Sequence, residues 1–122
     1  MLYGTLQAGG VITAVGPGDQ LTLFSGTEAP SSGIKSVAFA RGYNPGAGES
    51  VVTFYVSGLG ASNVVEIEGS NTDVDGDYFV LSTITPDANG NGAYSDSGQA
   101  LYYRAVLSTY VSGGMPVVTV QR

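Results

Sequence analysis

The stretch that decides the fold runs from Glu66 to Ile84 and reads EIEGSNTDVDGDYFVLSTI. It begins and ends with short runs in which apolar and polar residues alternate, as they do in half-buried β-strands. Between these runs, Asn71 is followed by three alternating aspartates, Asp73, Asp75 and Asp77. The stretch therefore predicts either a β-hairpin with a polar tip or a calcium-binding loop between two strands.

The calcium interpretation fails at its most diagnostic position. An EF-hand loop needs oxygen ligands at positions 1, 3 and 5, glycine at 6 and a bidentate glutamate at 12. Counting from Asn71, the early positions fit, but position 12 is Ser82 and no flanking helix is predicted. Asp75-Gly76 is also a strong turn dipeptide. We predict a hairpin tip without a metal. The alternative is a weak surface cation that relieves repulsion among the carboxylates.

The rest of the chain has the same all-β character. Nineteen glycines and five prolines interrupt it, and no window between them keeps the helical period. Strands are predicted at Tyr3–Gln7, Val11–Val15, Gln20–Phe24, Ile34–Ala40, Ser50–Val56, Asn63–Glu68, Asp77–Ile84, Leu101–Leu107 and Val117–Gln121. Thr85–Gln99 is predicted as a long loop. Many short strands at this spacing imply an antiparallel β-sandwich, either jelly-roll or immunoglobulin-like.

Alternation within the strands predicts which side chains form the core. Residues on one face of each strand are expected to be buried, while those on the other face contact solvent. The predicted core set is Val52, Phe54, Val56, Val65, Ile67, Phe79, Leu81, Tyr103, Ala105 and Leu107. On the opposite face, Arg104 is predicted as a cross-strand partner of Glu66 and Glu68.

Composition argues against catalysis. The chain of 122 residues contains neither cysteine nor histidine, which removes thiol chemistry and the commonest general base and metal ligand. Glu66 and Glu68 are the best remaining pair, because alternate residues of a strand lie about 6.5–7 Å apart, near the spacing in glycosidases. They are predicted on a solvated face rather than in a cleft, so we expect no enzymatic activity and no cofactor.

The charge balance narrows the choice of partners. Ten acidic and four basic residues give a formal charge of −6, so we expect no nucleic acid and no membrane as partner. Charged residues make up 11% of the chain, against about 25% in ordinary globular domains. Either much of the surface lies against other chains, or the protein has a neutral polar surface. The first fifteen residues lack the features of an export signal, so synthesis in the cytoplasm is expected.

The segment from Ser50 to Arg122 resembles the β-sandwich domains of tailed-phage structural proteins. The resemblance is carried by VTFYVSGLGASNVVEIEGSN, DYFVLSTIT, LYYRAVL and YVSGGMPVVTVQR, which are short strands separated by SG, DG and SGG turns. Two features depart from the family pattern. Tyr78 and Phe79 stand where the family often has tryptophan, and TDVD lengthens the preceding loop. The first 45 residues carry no resemblance.

The resemblance implies a virion component without catalytic residues. A short chain without a fibre or enzymatic domain looks most like a capsid decoration (cement) protein. Such proteins lie on the capsid surface, often as homotrimers, and bridge subunits of the major capsid protein. The alternative is a tail or adsorption module that binds host-surface glycans through Thr85–Gln99 and nearby tyrosines.

The predicted organisation is an N-terminal arm, residues 1–10, followed by a β-sandwich domain, residues 11–122. Within the arm, Leu2, Tyr3 and Leu6 are apolar residues among small ones. They are the predicted contacts to a partner, because an extended segment can add a strand to an exposed sheet edge. The arm could equally pair within its own sandwich, and the sequence leaves this choice open.

Overall fold

The computed structural model of the chain describes residues 11–12, 20–40, 51–97 and 100–121. The strand predicted at Tyr3–Gln7, the arm contacts and most of the Val11–Val15 prediction lie outside these ranges. The strands are β1 (Val11–Ile12), β2 (Gln20–Ser25), β3 (Ile34–Lys35), β4 (Ala38–Ala40), β5 (Val52–Ser57), β6 (Val64–Ser70), β7 (Phe79–Ile84), β8 (Gly92–Asp96), β9 (Tyr102–Thr109) and β10 (Val117–Gln121). A single 3₁₀ turn within the described ranges covers Asp75–Asp77.

The strands form two packed sheets, which confirms the predicted β-sandwich. Sheet A has the order β1-β4-β9-β6-β7, with β3 also paired to β9, and sheet B has the order β2-β10-β5-β8. The neighbouring strands run antiparallel, except that β1 runs parallel to β4.

The strand order is that of a jelly roll. If β3 and β4 are taken as one interrupted strand and β1 is set aside, the remaining strands, β2 to β10, are eight in number and can be counted from β2 as the first. Sheet B then holds the first, eighth, third and sixth strands, and sheet A the second, seventh, fourth and fifth. This is the arrangement of two interleaved Greek keys. Of the two predicted types of sandwich, the topology therefore selects the jelly roll.

Four aromatic rings at the centre of the core join the two sheets. Phe54 of sheet B lies 6.1 Å from Phe39 and 5.7 Å from Tyr103, measured between ring centroids, and both partners belong to sheet A. Phe39 and Tyr103 stack on each other at 5.4 Å. Tyr94 of β8 stacks on Phe54 at 6.2 Å. Such ring contacts add to the stabilisation that burial alone gives.

The predicted core is largely confirmed. The members from β5, β6 and β9 are 0–2% exposed, as the period-two pattern requires. Phe79 is the error, since it is 46% exposed. Phe79 lies opposite Gly69, on the face of β6 that also holds Val65 and Ile67, so its face follows the predicted pattern. It is nevertheless the first residue of β7, which is an edge strand of sheet A, and a side chain at the margin of a sheet can remain exposed.

The structure corrects the prediction for Thr85–Gln99. This segment contains β8, which pairs with β5 in an unbroken register from Val52 to Val56. Its residues, GAYSD, have little intrinsic strand preference apart from Tyr94. Tertiary contacts hold the strand in place: Tyr94 stacks on Phe54, and a Cβ atom at Gly92 would lie only 2.5 Å from the Ile84 side chain.

We predict that Phe54→Ala destabilises the fold by about 3–5 kcal/mol, because it removes the ring that contacts both sheets and leaves a cavity. The free energy of unfolding should be measured by denaturant titration. Tyr55→Ala is the matched control, since the neighbouring Tyr55 is 46% exposed and its loss should change stability by less than about 1 kcal/mol. Equal losses for the two variants would contradict the central role of Phe54.

Candidate functional site

The aspartate segment forms the tip of the hairpin between β6 and β7, which confirms the hairpin interpretation. Its three carboxylates accept hydrogen bonds from different partners. Asp73 binds the hydroxyl of Tyr78 at 2.8 Å, and Asp77 binds the hydroxyl of Thr72 at 2.8 Å. Asp75 instead contacts two cations of sheet A. The tip is therefore held by local bonds and by ion pairs to the sheet.

Arg104 is the centre of a polar cluster on the outer face of sheet A. Its Nε donates to Glu68 at 2.8 Å, and its Nη1 donates to Asp75 at 2.7 Å. The predicted cross-strand partner is confirmed for Glu68, whereas Glu66 lies opposite Val106. The ring of Tyr78 lies over the guanidinium, 3.9 Å from its carbon to the ring centroid. Only 10% of the Arg104 side chain is exposed. The hairpin tip therefore covers a face that the alternation pattern assigned to solvent.

The same contacts explain two pKa shifts in the cluster. Hydrogen bonds from Lys35 and then Arg104 lower the pKa of Asp75, because both cations favour the charged carboxylate. Partial burial, and then the bond to Asp73, raise the pKa of the Tyr78 hydroxyl well above its ordinary value. Both residues therefore keep their usual charge states near neutral pH.

Beside the cluster lies an open cleft of about 350 Å³. It is lined by Lys35, Ser36, Val37, Ala38, Asp73, Asp75, Tyr78 and Arg104. The best-placed charges are already used in ion pairs within the chain. Within the described ranges, no group of three or more acidic side chains is arranged to hold a metal ion.

A second polar cluster lies in the core, at the end of β8. Asp96 is 1% exposed and accepts hydrogen bonds from the hydroxyls of Tyr94, at 2.7 Å, and Tyr103. Burial and the bond to Asp96 raise the pKa of Tyr94 to about 12. The cluster satisfies polar atoms of the aromatic core and is closed to a ligand, so we interpret it as structural.

In the part of the chain that the structure describes, the outer face of sheet B has no charged side chain. Cross-strand registers align its outward residues in rows. The first row is Gln20, Gln121, Thr53 and Ser95; the second is Thr22, Thr119, Tyr55 and Ala93; the third is Ser25, Val117 and Ser57. The charged residue in these four strands, Asp96, points into the core. We call this surface the uncharged face.

Tyr55 stands at the middle of the uncharged face. It is 46% exposed and borders a shallow cleft of about 290 Å³ with Val51, Thr53 and Gln121. Beside it, the hydroxyls of Thr53 and Ser95 share a hydrogen bond of 2.9 Å across β5 and β8. The face thus offers an exposed aromatic ring among hydroxyl and amide groups, without the desolvation cost of charges.

The predicted site residues have separate outcomes. Leu2, Tyr3 and Leu6 lie outside the described residues, so they remain predictions. Glu68 is ion-paired with Arg104 at 2.8 Å, and neither Glu66 nor Glu68 lines the cleft beside the hairpin tip. Sequence reasoning missed the uncharged face. Its signal was present, because QLTLFS, VTFYVS, GAYSD and VVTVQ almost lack charge, but only the topology shows that they form one sheet.

Comparisons with known proteins identify no relative. No protein-family model, no curated protein and no solved structure matches the chain. Within the ranges that the structure describes, no helix is long and apolar enough to cross a membrane.

We predict that Arg104→Met destabilises the protein by about 2 kcal/mol, because Glu68 loses its partner while partly buried. This is less than the ~3–5 kcal/mol for a fully buried pair, because Asp75 remains largely in water. Lys35→Met is the matched control. It removes the other cation from Asp75, but 44% of the Lys35 side chain is exposed, and exposed pairs contribute little. Urea titrations that give equal losses would argue against a central role for Arg104.

The lowered pKa of Asp75 predicts a pH dependence of stability. Because the pKa in the folded state lies below the ordinary value of 3.8, this group stabilises the fold above about pH 4. The contribution disappears as the pH falls through the lower, folded-state pKa. An NMR titration of the Asp75 carboxyl should show this shift, and Lys35→Met should move the pKa back toward 3.8. A pKa of Asp75 that Lys35→Met leaves unchanged would contradict the assignment.

Proposed function

We propose that the chain is a non-enzymatic structural protein of a tailed-phage virion, a capsid decoration protein. It binds the assembled head lattice through the uncharged face of sheet B. The observation that carries this proposal is the division of charge between the two outer faces. The outer face of sheet A and its hairpin tip carry Lys35, Glu66, Glu68, Asp75 and Arg104, whereas the uncharged face carries none.

This division supports a protein partner. The buried centres of protein interfaces are depleted of charged residues and enriched in aromatic ones such as tyrosine. The uncharged face has both properties, with Tyr55 at its middle and hydroxyl and amide groups around it. A four-stranded sheet packed on an aromatic core gives the ordered surface that a repeating lattice requires.

Two further features support the virion setting. The segment from Ser50 to Arg122 resembles sandwich domains of tailed-phage structural proteins, and jelly rolls are frequent in viral capsid domains and in lectins. The topology alone would not justify the proposal, because one fold supports many functions. The net charge of −6 fits a protein that works outside a DNA-filled shell, since it has few cations with which to bind the genome.

The mechanism follows from linkage. A decoration protein that binds only the assembled lattice lowers the free energy of that state and leaves free capsid subunits unaffected. The stabilisation grows with the logarithm of its concentration over the dissociation constant. In this proposal the protein is a homo-oligomer on the capsid surface, each copy contacting the major capsid protein, and no cofactor takes part.

A second candidate function is glycan binding by a tail or adsorption module. The observation that favours it is the cleft of about 290 Å³ beside Tyr55, because an exposed aromatic ring among hydroxyl groups can stack on a sugar. The cleft lies on sheet B, away from the turn that precedes β8. Tyr94, which the sequence placed in a glycan-binding loop, is instead packed on Phe54.

Binding to undecorated heads tests the proposal. Purified protein should co-sediment with heads of the phage that encodes it, prepared without this protein, and should raise the temperature at which they release DNA. Tyr55→Lys should weaken binding at least tenfold, because it places a charge at the middle of the interface. Thr83→Lys is the control, because it adds the same charge at an exposed strand position of sheet A and should leave binding within about twofold.

The outcomes separate the candidates. Failure of the unmodified protein to bind heads would refute the decoration role. Binding that Tyr55→Lys does not weaken would refute the uncharged face as the contact surface. A protein that ignores heads but binds immobilised host-surface glycans, and loses this binding in Tyr55→Ala, would establish the adsorption function instead.

A further inference from the structure

The strands at the sheet edges differ in how they are protected against additional pairing. Native edge strands usually carry a bulge, a charge or a proline that discourages it. β7 has a bulge at Leu81, and β2 has one at Leu23. The carboxylate of Glu28 also accepts hydrogen bonds from the N–H groups of Ser25 and Gly26 at the end of β2.

β8 lacks these protections. It pairs with β5 in continuous register, and its outward side chains, Ala93 and Ser95, are small, uncharged and exposed. In the described part of the chain, it is paired on one side only. Alternate residues of such an antiparallel edge strand direct their N–H and C=O groups away from the sheet. From Gly92 to Ser95, β8 is therefore a regular edge that can accept another strand.

We propose that the edge of β8 accepts Met1–Gly10 from a second copy of this chain as a fifth strand of sheet B. The segment has no charged residue, and its predicted strand, Tyr3–Gln7, is five residues long, as is β8. Backbone hydrogen bonds give such strand addition its affinity. The added strand continues the uncharged face without introducing a charge.

The position of β1 indicates that the donor is another copy. Met1–Gly10 directly precedes β1, which lies at the edge of sheet A opposite β7. β8 packs against β7 through Gly92 and Ile84, so β1 and β8 lie on opposite flanks of the sandwich. Four spacings between neighbouring strands separate β1 from β7, and one spacing between sheets separates β7 from β8. Together they place β1 about 21 Å from β8 in a straight line.

That distance disfavours pairing within one chain. Ten extended residues reach at most ~33–36 Å, so crossing ~21 Å uses about six of them, and a path around the sandwich uses more. Fewer than five residues would remain to pair with β8. A neighbouring copy has no such limit, because the β1 flank of one copy can lie directly against the β8 flank of the next.

The arrangement also determines the kind of assembly. A donor on one flank and an acceptor on the other form a head-to-tail interface, which closes into a ring when the rotation between copies allows it. This inference deepens the self-association of the proposed function and agrees with the expected homotrimer. It concerns contacts between copies only, so it can be tested without heads.

Disulfide trapping tests the inference, because the chain has no cysteine of its own. A Thr5→Cys chain is mixed with an Ala93→Cys or a Ser95→Cys chain under mild oxidation, so that more than one register is sampled. Paired strands bring Cα atoms within the 4.4–6.8 Å that a disulfide requires. The mixture should give a disulfide-linked heterodimer, identified by mass spectrometry of the joined peptides. Thr22→Cys, exposed on the other edge of sheet B, is the control acceptor and should give at least tenfold less product.

Other results would overturn the proposal. A double variant, Thr5→Cys with Ala93→Cys, that forms its disulfide only within one chain would place the segment on its own sandwich. Absence of any Thr5 disulfide to β8, or equal trapping by Thr22→Cys, would refute β8 as the acceptor. Trapped copies that fail to bind heads would leave this inference intact and refute the decoration role. If the protein binds heads but its copies form no Thr5 disulfide to β8, the decoration role would stand and this inference would be refuted.

Discussion

The contact of Phe54 with Phe39 and Tyr103 is the interaction on which the rest of the structure depends. It joins an inner strand of sheet B to two strands of sheet A, at centroid distances of 6.1 and 5.7 Å. The chain has no cysteine, and its described residues form three ion pairs, so burial of these rings is a main source of its stability. Because these core contacts hold the two sheets together, the outward side chains of each sheet can differ in charge and polarity without loss of the fold.

The two outer faces differ in this way. On sheet A, the hairpin tip folds over Arg104, and the ion pairs with Glu68 and Asp75 are satisfied within the chain. On sheet B, the outward rows form side-chain hydrogen bonds between Thr53 and Ser95 and between Ser25 and Thr27, and no ion pair joins them to the other described residues. The first face uses its polar groups to hold the structure together, while the second leaves them available to another molecule. The proposed contact with a capsid follows from this division and not from the jelly-roll topology, which many unrelated proteins share.

Much of the fold could be predicted from local pattern. Alternation identified the buried faces of β5, β6 and β9, and the pairing of Glu68 with Arg104 followed from the charges on neighbouring strands. β8 could not be predicted in this way, because its small and polar residues become a strand only through Phe54 and Ile84. The exposure of Phe79 was equally hidden, since the sequence does not show that Phe79 begins a strand at the edge of sheet A. The uncharged face was visible only as four scattered segments until the topology joined them.

The place of β10 in sheet B has a consequence for how the molecule acquires its structure. β10 lies between β2 and β5. Gln121 therefore pairs with Gln20, although most of the sequence separates the two residues. Among the described strands, β2 has no neighbour in its sheet until β10 has been synthesised, and one side of β5 is open. Pairing of such distant segments costs loop-closure entropy before the contacts between them can form, and this slows folding. Sheet B is therefore expected to assemble late and in a single cooperative step, after translation has passed residue 121, and a nascent chain that stops earlier exposes the edges of β2 and β5.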